Sequence, residues 1–202
     1  HRRIVYGWST NKKQHREKLK VNATKDQDFY CYCARKIRDL MQLFPCREIA
    51  IDGQGGGIAV MEALRDTSKL KDGEFAIIPK IYDDKEQPTD DEPGLHIIEV
   101  VQFANANWTS EANHGMKKDF EDKKLVFPYF DSASIGLSLE EDNRQGRLYD
   151  TLEDCVMEIE ELKNELSLIS ITSTPTGREH WDTPEVKTGV GKKGRLTKDG
   201  KT

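Results

Sequence analysis

The stretch from Arg47 to Leu64, REIAIDGQGGGIAVMEAL in one-letter code, restricts the fold of this chain more than any other. A short apolar run from Ile49 to Ile51 ends in an acid, Asp52; four glycines follow within five residues, and a helical pattern opens at Ile58. Glycines let a chain turn sharply from strand to helix through backbone angles closed to larger residues. The expectation is a strand-to-helix corner in an α/β sheet, with a carboxylate at the strand end and no bulky side chain screening it from a substrate.

Three readings of Asp52 stay open on the residues alone. It caps the following turn or helix, where carboxylates favour exposed backbone amides; it is a metal ligand in a carboxylate cluster; or it belongs to a phosphate-binding turn whose glycine amides cradle the anion. The phosphate reading is the weakest. Gly53 to Ile58 lacks the final glycine of the dinucleotide fingerprint, no Gly-Lys-Ser/Thr follows to make a P-loop, and an acid just before the glycines repels phosphate.

A chain of 202 residues fits one domain of ordinary size with a tail. One third of the residues are charged and the net charge is -5, so the surface is well solvated and there is no overall field to attract nucleic acid. Any DNA binding must use local patches. No run approaches the roughly 18 apolar residues needed to span a membrane, and no signal peptide opens the chain, which points to a cytosolic setting. Cys31, Cys33, Cys46 and Cys155 are scattered, and are read as reduced packing residues. Opening at His1 and entering a strand almost at once, the chain reads as a fragment of something longer.

The pattern predicts a strand over Arg3 to Trp8, then a loop or hairpin arm from Ser9 to Lys25. Phe29, Cys33, Ile37, Leu40, Met41 and Phe44 share a helical face, with Asp26 or Asp28 as N-cap and Pro45 as terminator. Strand Glu48 to Ile51, helix Ile58 to Arg65 and strand Glu74 to Ile81 follow, then an acidic loop, Asp83 to Gly94. His96 to Phe103 is strand-like, Ser110 to Lys123 helical, and Leu125 to Phe130 a strand whose proline suggests an edge. The longest helix runs from about Thr151 to Ile169, capped by Asp150 or Thr151, with Leu152, Val156, Ile159, Leu162, Leu166 and Ile169 on its buried face. From Thr172 to Thr202 the chain reads as a loop or extended arm. This alternation favours a mixed sheet with helices on its faces.

The tail is basic around one acid: Asp199 stands among Lys192, Lys193, Arg195, Lys198 and Lys201. It is either a surface charge in a flexible basic segment, or an acid that joins a metal while the bases hold a phosphate backbone. Composition does not choose. His180 and Asp182, in Arg178 to Asp182, are secondary candidates; the five histidines show no zinc-ligand spacing, and no nucleophile elbow or Cys-His arrangement appears.

Taken together, Ile49 to Gly57, Leu125 to Pro128, the helix Tyr149 to Leu162, the Trp-Asp-Thr-Pro segment at Trp181 and the ending Lys193 to Asp199 resemble the nuclease domain of tailed-phage terminase large subunits. The resemblance covers most of the chain. It implies an α/β, RNase H-like mixed sheet flanked by helices on both faces, with residues 1–171 as the nuclease core and 172–202 as an extended basic segment bearing the last acid. It also implies a divalent-metal-dependent endonuclease that cuts concatemeric double-stranded DNA during packaging, in the cytoplasm of an infected bacterium. Asp52 and Asp199 then correspond to catalytic carboxylates holding one or two Mg2+ or Mn2+ ions, and Lys192, Lys193, Arg195 and Lys198 to DNA-binding residues. The implied partners are an upstream ATPase motor domain, the portal and the small terminase subunit, with no membrane.

Two departures bear on activity. The family's other acid lies on a strand upstream of Ile4 to Trp8, and no residue here matches it; after Lys198-Asp199 the chain ends at Gly200-Lys201-Thr202 instead of continuing into an apolar helix. Two-metal hydrolysis needs several carboxylates, so with two of them this fragment is expected to bind metal poorly. The competing expectations are a non-catalytic module that docks to DNA or to the packaging motor, and a nucleotide-binding α/β module.

Overall fold

The computed structural model describes residues 1–19, 26–80, 93–146, 150–175, 177, 179–183, 185–188 and 192–195. The chain is mixed α/β, with parallel and antiparallel strand pairs, and divides into two compact units: residues 11–104, and residues 1–10 with 105–202.

In the unit 11–104, helix α1 (Lys12–Leu19) precedes helix α2 (Asp26–Leu43), which leads into strand β2 (Ile49–Asp52), helix α3 (Gly56–Arg65), strand β3 (Ala76–Pro79) and strand β4 (Gly94–Val101). The three strands form an all-parallel sheet in the order β2-β4-β3. Ile49 and Ile51 alternate with the exposed Ala50 and Asp52, so β2 turns one face to the core. Helices α2 and α3 cover that face. Ala34 of α2, Leu64 of α3, Ile77 of β3 and Ile98 of β4 are buried together, with Ile37, Met41, Ile49, Ile51, Val60 and Met61 packed around them. Arg38 of α2, only 6% exposed, donates to the carbonyl oxygens of Phe75 at 2.7 Å and Leu64 at 2.6 Å, tying α2 to the end of α3 and the entry of β3.

The expected loop or hairpin arm from Ser9 to Lys25 is corrected over residues 12–19, which form α1. His15, 5% exposed, seats α1 on α2, its ring 4.6 Å from Tyr32 and 5.7 Å from Phe29 by centroids. Helix α2 opens at Asp26, which puts Asp28 inside its first turn. The acidic stretch Asp83 to Glu92 and the end of the third expected strand, Ile81, lie outside the described residues.

The second unit begins with strand β1 (Arg2–Arg3), which shares only Arg3 with the expected Arg3 to Trp8 strand and pairs in parallel with β5 (Leu125–Val126). Between them in sequence stands α4 (Ala106–Glu121), N-capped by Asn105, whose side chain accepts from the amides of Asn107 and Trp108. Strand β5 likewise stops short of Pro128, whose missing amide hydrogen cannot extend a ladder. Residues 132–145, given no element by the pattern, form helix α5 (Ser132–Gln145), which Asp131 caps by accepting from Ser134. Of the expected buried face of helix α6 (Leu152–Leu168) only Ile159 is fully buried, joined by Cys155; Leu152, Val156, Leu162 and Leu166 are half-buried, and Ile169, which follows the helix, is exposed. Its cap is Thr151, in a reciprocal box with Asp154, while Asp150 takes φ 62 and accepts a hydrogen bond from Tyr6. The segment after β1 lies along α6: the Gly7 amide points to Cys155 Sγ at 3.4 Å, and Ser9 donates to Glu158 at 2.5 Å.

The described residues beyond 170 are built as two antiparallel hairpins, which corrects the expected loop: β6 (Ser170–Ser173) with β7 (Glu179–Asp182), and β8 (Glu185–Thr188) with β9 (Lys192–Arg195). Four-residue strands that are mostly polar escape a search for buried alternation.

Candidate active site

Asp52 is the last residue of β2, at the carboxyl end of an outer strand of the parallel sheet and in register with Val101 of β4. The chain leaves the sheet immediately, with the Gly53 amide donating to Val101 O at 2.7 Å. Two glycines make the corner that follows. Gly55 caps α3 with φ 55 and ψ -122, a region that residues with a Cβ avoid. Gly57 permits close approach: a Cβ there would meet the Asp52 carbonyl oxygen.

The Asp52 carboxylate is exposed, and its Oδ1 accepts from the Gln54 amide at 3.1 Å. This is the turn-capping role, and it occupies one oxygen. Beside the corner, α2 and α3 border a cleft of about 1000 Å3, lined by Tyr30, Cys31, Gly55, Ile58, Glu62 and Arg65. The Tyr30 ring lies against Gly56, with Lys12 Nζ 5.3 Å from its centroid.

The face of the sheet turned away from the helices carries a second group that sequence reading missed. Glu99 of β4 stands in register with Ala50, and Glu48 precedes β2. Lys80, which follows β3, forms an ion pair with Glu48. Hydrogen bonding to Lys80, then to Glu99, holds the Glu48 carboxyl below the usual range, while the bond shared with Glu48 holds Glu99 above it. The shared bond therefore separates the two carboxyls in titration, with Glu48 losing its proton before Glu99. Alternation within β2 and β4 was the only available signal, and it identifies a face without identifying a partner.

Among the described residues, no group of three or more His, Cys, Asp or Glu side chains is placed to hold a metal ion. Asp52 supplies one carboxylate, which by itself does not make a divalent-cation site, and these residues do not fit a resident metal without further ligands. Asp199 and Lys198 lie outside the described residues. Lys192, Lys193 and Arg195 fall together on β9, in the unit that does not contain Asp52.

The secondary candidates are absorbed into β7. His180 Nε2 lies 3.3 Å from Asp182 Oδ2 on the same strand. On that strand too, Glu179 accepts from Ser110 at 3.1 Å and lies 2.7 Å from His114 Nε2, which docks β7 on α4. These contacts, His114 first, hold the Glu179 carboxyl below the usual range. Ser110 and His114 both address the carboxylate and not each other, so this is a docking contact and not a nucleophile-base relay.

Comparison with protein-family models, with curated proteins and with solved structures finds no match. The functional reading therefore rests on the residues and their geometry.

The four cysteines are free thiols. Cys33 and Cys155 are buried, as packing residues should be, but Cys46 is exposed and does no packing.

Proposed function

We propose that this chain is the nuclease part of a phage DNA-packaging terminase, an RNase H-like endonuclease acting on double-stranded DNA in an infected bacterium. The observation that carries the reading is the position of Asp52. Open α/β sheets gather their functional groups at the carboxyl ends of parallel strands, and Asp52 is an exposed acid at such an end, followed by a corner whose glycines keep side chains away from it. The ordered set of family-like segments from Ile49 to Asp199 supports the same reading.

In this proposal Asp52 is one ligand to Mg2+ or Mn2+, whose chemistry is to lower the pKa of bound water and stabilise the leaving oxygen. Asp199 and an acid upstream of residue 1 supply the remaining carboxylates. The motor domain, the portal and the small terminase subunit are its partners.

The test is cleavage of supercoiled plasmid in Mn2+ by the chain extended upstream through the strand that the resemblance places before residue 1. Conversion to nicked and linear DNA is expected, with Asp52→Asn slower by at least about 100-fold, as for loss of a group that stabilises transition-state charge. Uncut plasmid, or equal cutting by Asp52→Asn, would end the proposal. The turn contact to Gln54 favours a second reading, in which Asp52 is structural and the chain a docking module. In that case Asp52→Asn leaves DNA or motor binding intact and lowers only stability.

A further inference from the structure

The backbone register of the β8–β9 hairpin sorts its basic residues in a way their sequence does not. Lys187 stands directly opposite Lys193, Glu185 opposite Arg195, Val186 opposite Gly194 and Thr188 opposite Lys192. Residues directly opposite in an antiparallel pair share a face. One face therefore has the positions of Glu185, Lys187, Lys193 and Arg195, and the other those of Val186, Thr188, Lys192 and Gly194.

Like charges directly opposite oppose pairing, with Cβ atoms about 5 Å apart. The register partner of Arg195 is an acid, Glu185, while Lys187 and Lys193 are each other's register partner. A phosphate oxyanion can accept from two ammonium groups at once, which offsets the repulsion expected of lysines at opposed register positions. The hairpin also carries four bases and one acid between residues 185 and 195, in a chain whose net charge is -5, so its positive charge is local.

We propose that Lys187 and Lys193, opposed in register on one face of the hairpin, act as a two-lysine clamp for a backbone phosphate of double-stranded DNA, with the position of Lys192 on the other face. Lys187 is a new member of the DNA-binding set. The inference deepens the nuclease reading and rests on it for the choice of DNA as the polyanion, but its readout is binding and not cleavage.

The experiment is fluorescence anisotropy of a labelled 30-base-pair duplex with the 202-residue chain in EDTA, across a salt series. Lys187→Gln and Lys193→Gln are each expected to weaken binding by about five- to tenfold. Each should also lower the slope of log affinity against log salt by about 0.9, the loss of one phosphate contact. Lys192→Gln should change affinity less than twofold. Lys187→Glu, which sets opposite charges across the ladder, should weaken binding further while leaving the melting temperature unchanged or raised. Because binding is read in EDTA, where no metal-dependent cleavage takes place, failure of the clamp is read separately from failure of the nuclease. Equal losses for Lys187→Gln, Lys192→Gln and Arg195→Gln would reduce the hairpin to an unsorted basic segment and overturn the clamp. So would parent-like binding by Lys187→Gln, a drop in melting temperature for Lys187→Glu, or no DNA binding by the parent.

Discussion

A Cβ placed on Gly57 would stand 1.9 Å from the carbonyl oxygen of Asp52, while one placed on the adjacent Gly56 would meet nothing nearer than the Tyr30 ring at 3.6 Å. Neighbouring glycines in one run therefore answer to different constraints. Gly57→Ala is expected to cost about 3 kcal/mol, because backbone must move to admit the methyl group. Gly56→Ala should be neutral or stabilising by up to about 1 kcal/mol, since alanine favours the helix. Urea unfolding of the two variants side by side checks the contrast.

Arg38, a buried cation, joins α2 to two backbone carbonyls, those of Phe75 and Leu64. Burial pulls its pKa down, yet a guanidinium stays charged far above neutrality, so the two acceptors keep a charged donor. Arg38→Met keeps the length and removes both bonds. A loss of about 3 kcal/mol is expected, against less than 0.5 kcal/mol for the exposed Arg47→Met, measured by the midpoint of chemical denaturation.

Glu74 receives a forked contact from Arg35 and the amide of Lys71 at 3.0 Å, and the Arg35 hydrogen bonds bring its carboxyl down from 4.5 to about 2. A depressed carboxyl stabilises the fold above its unfolded pKa and loses that contribution as protons bind. Stability should therefore fall from about pH 4.5 toward pH 2. Glu74→Gln should lower stability at pH 7 by about 1–2 kcal/mol and flatten the profile across that window, as read by urea midpoints at pH 3, 5 and 7.

Burial pushes the Cys33 thiol up to about 11. At pH 8 only about one molecule in a thousand then carries the thiolate, which is the reactive form. Labelling with a maleimide should modify the exposed Cys46 first and leave Cys33 and Cys155 unmodified until denaturant is added. Peptide mapping over a time course gives the order; early loss of Cys33 would contradict the packing described for α2.

What could be read in advance was what has a period or a punctuation mark. The apolar run into Asp52, the glycines and the repeat of α6 each impose a local pattern that tertiary contacts then use, although on α6 burial centres on Ile159 and Cys155 and leaves Ile169 exposed. Helix α1 has no such face: Lys12 to Leu19 is almost wholly polar, and it is held by helix-favouring side chains and one buried histidine. Helix α5 did carry signals, Asp131 before Ser132 and Gly146 with φ 65 behind Gln145, but its alternating small and polar residues hid them. At the candidate site Asp52 was legible because strand and corner are adjacent in sequence. The Glu48-Lys80-Glu99 group was not, because its members come from three segments whose register only pairing determines.

The sheet order β2-β4-β3 has a consequence for synthesis. Neither β2 nor β3 hydrogen-bonds to the other; each has β4, the last of the three to be made, as its partner. A nascent chain that has emerged only through Pro79 thus holds α2, α3 and two strands without the ladder that joins them. The interval until Val101 clears the ribosome, several seconds at usual elongation rates, is when their apolar faces most need a chaperone.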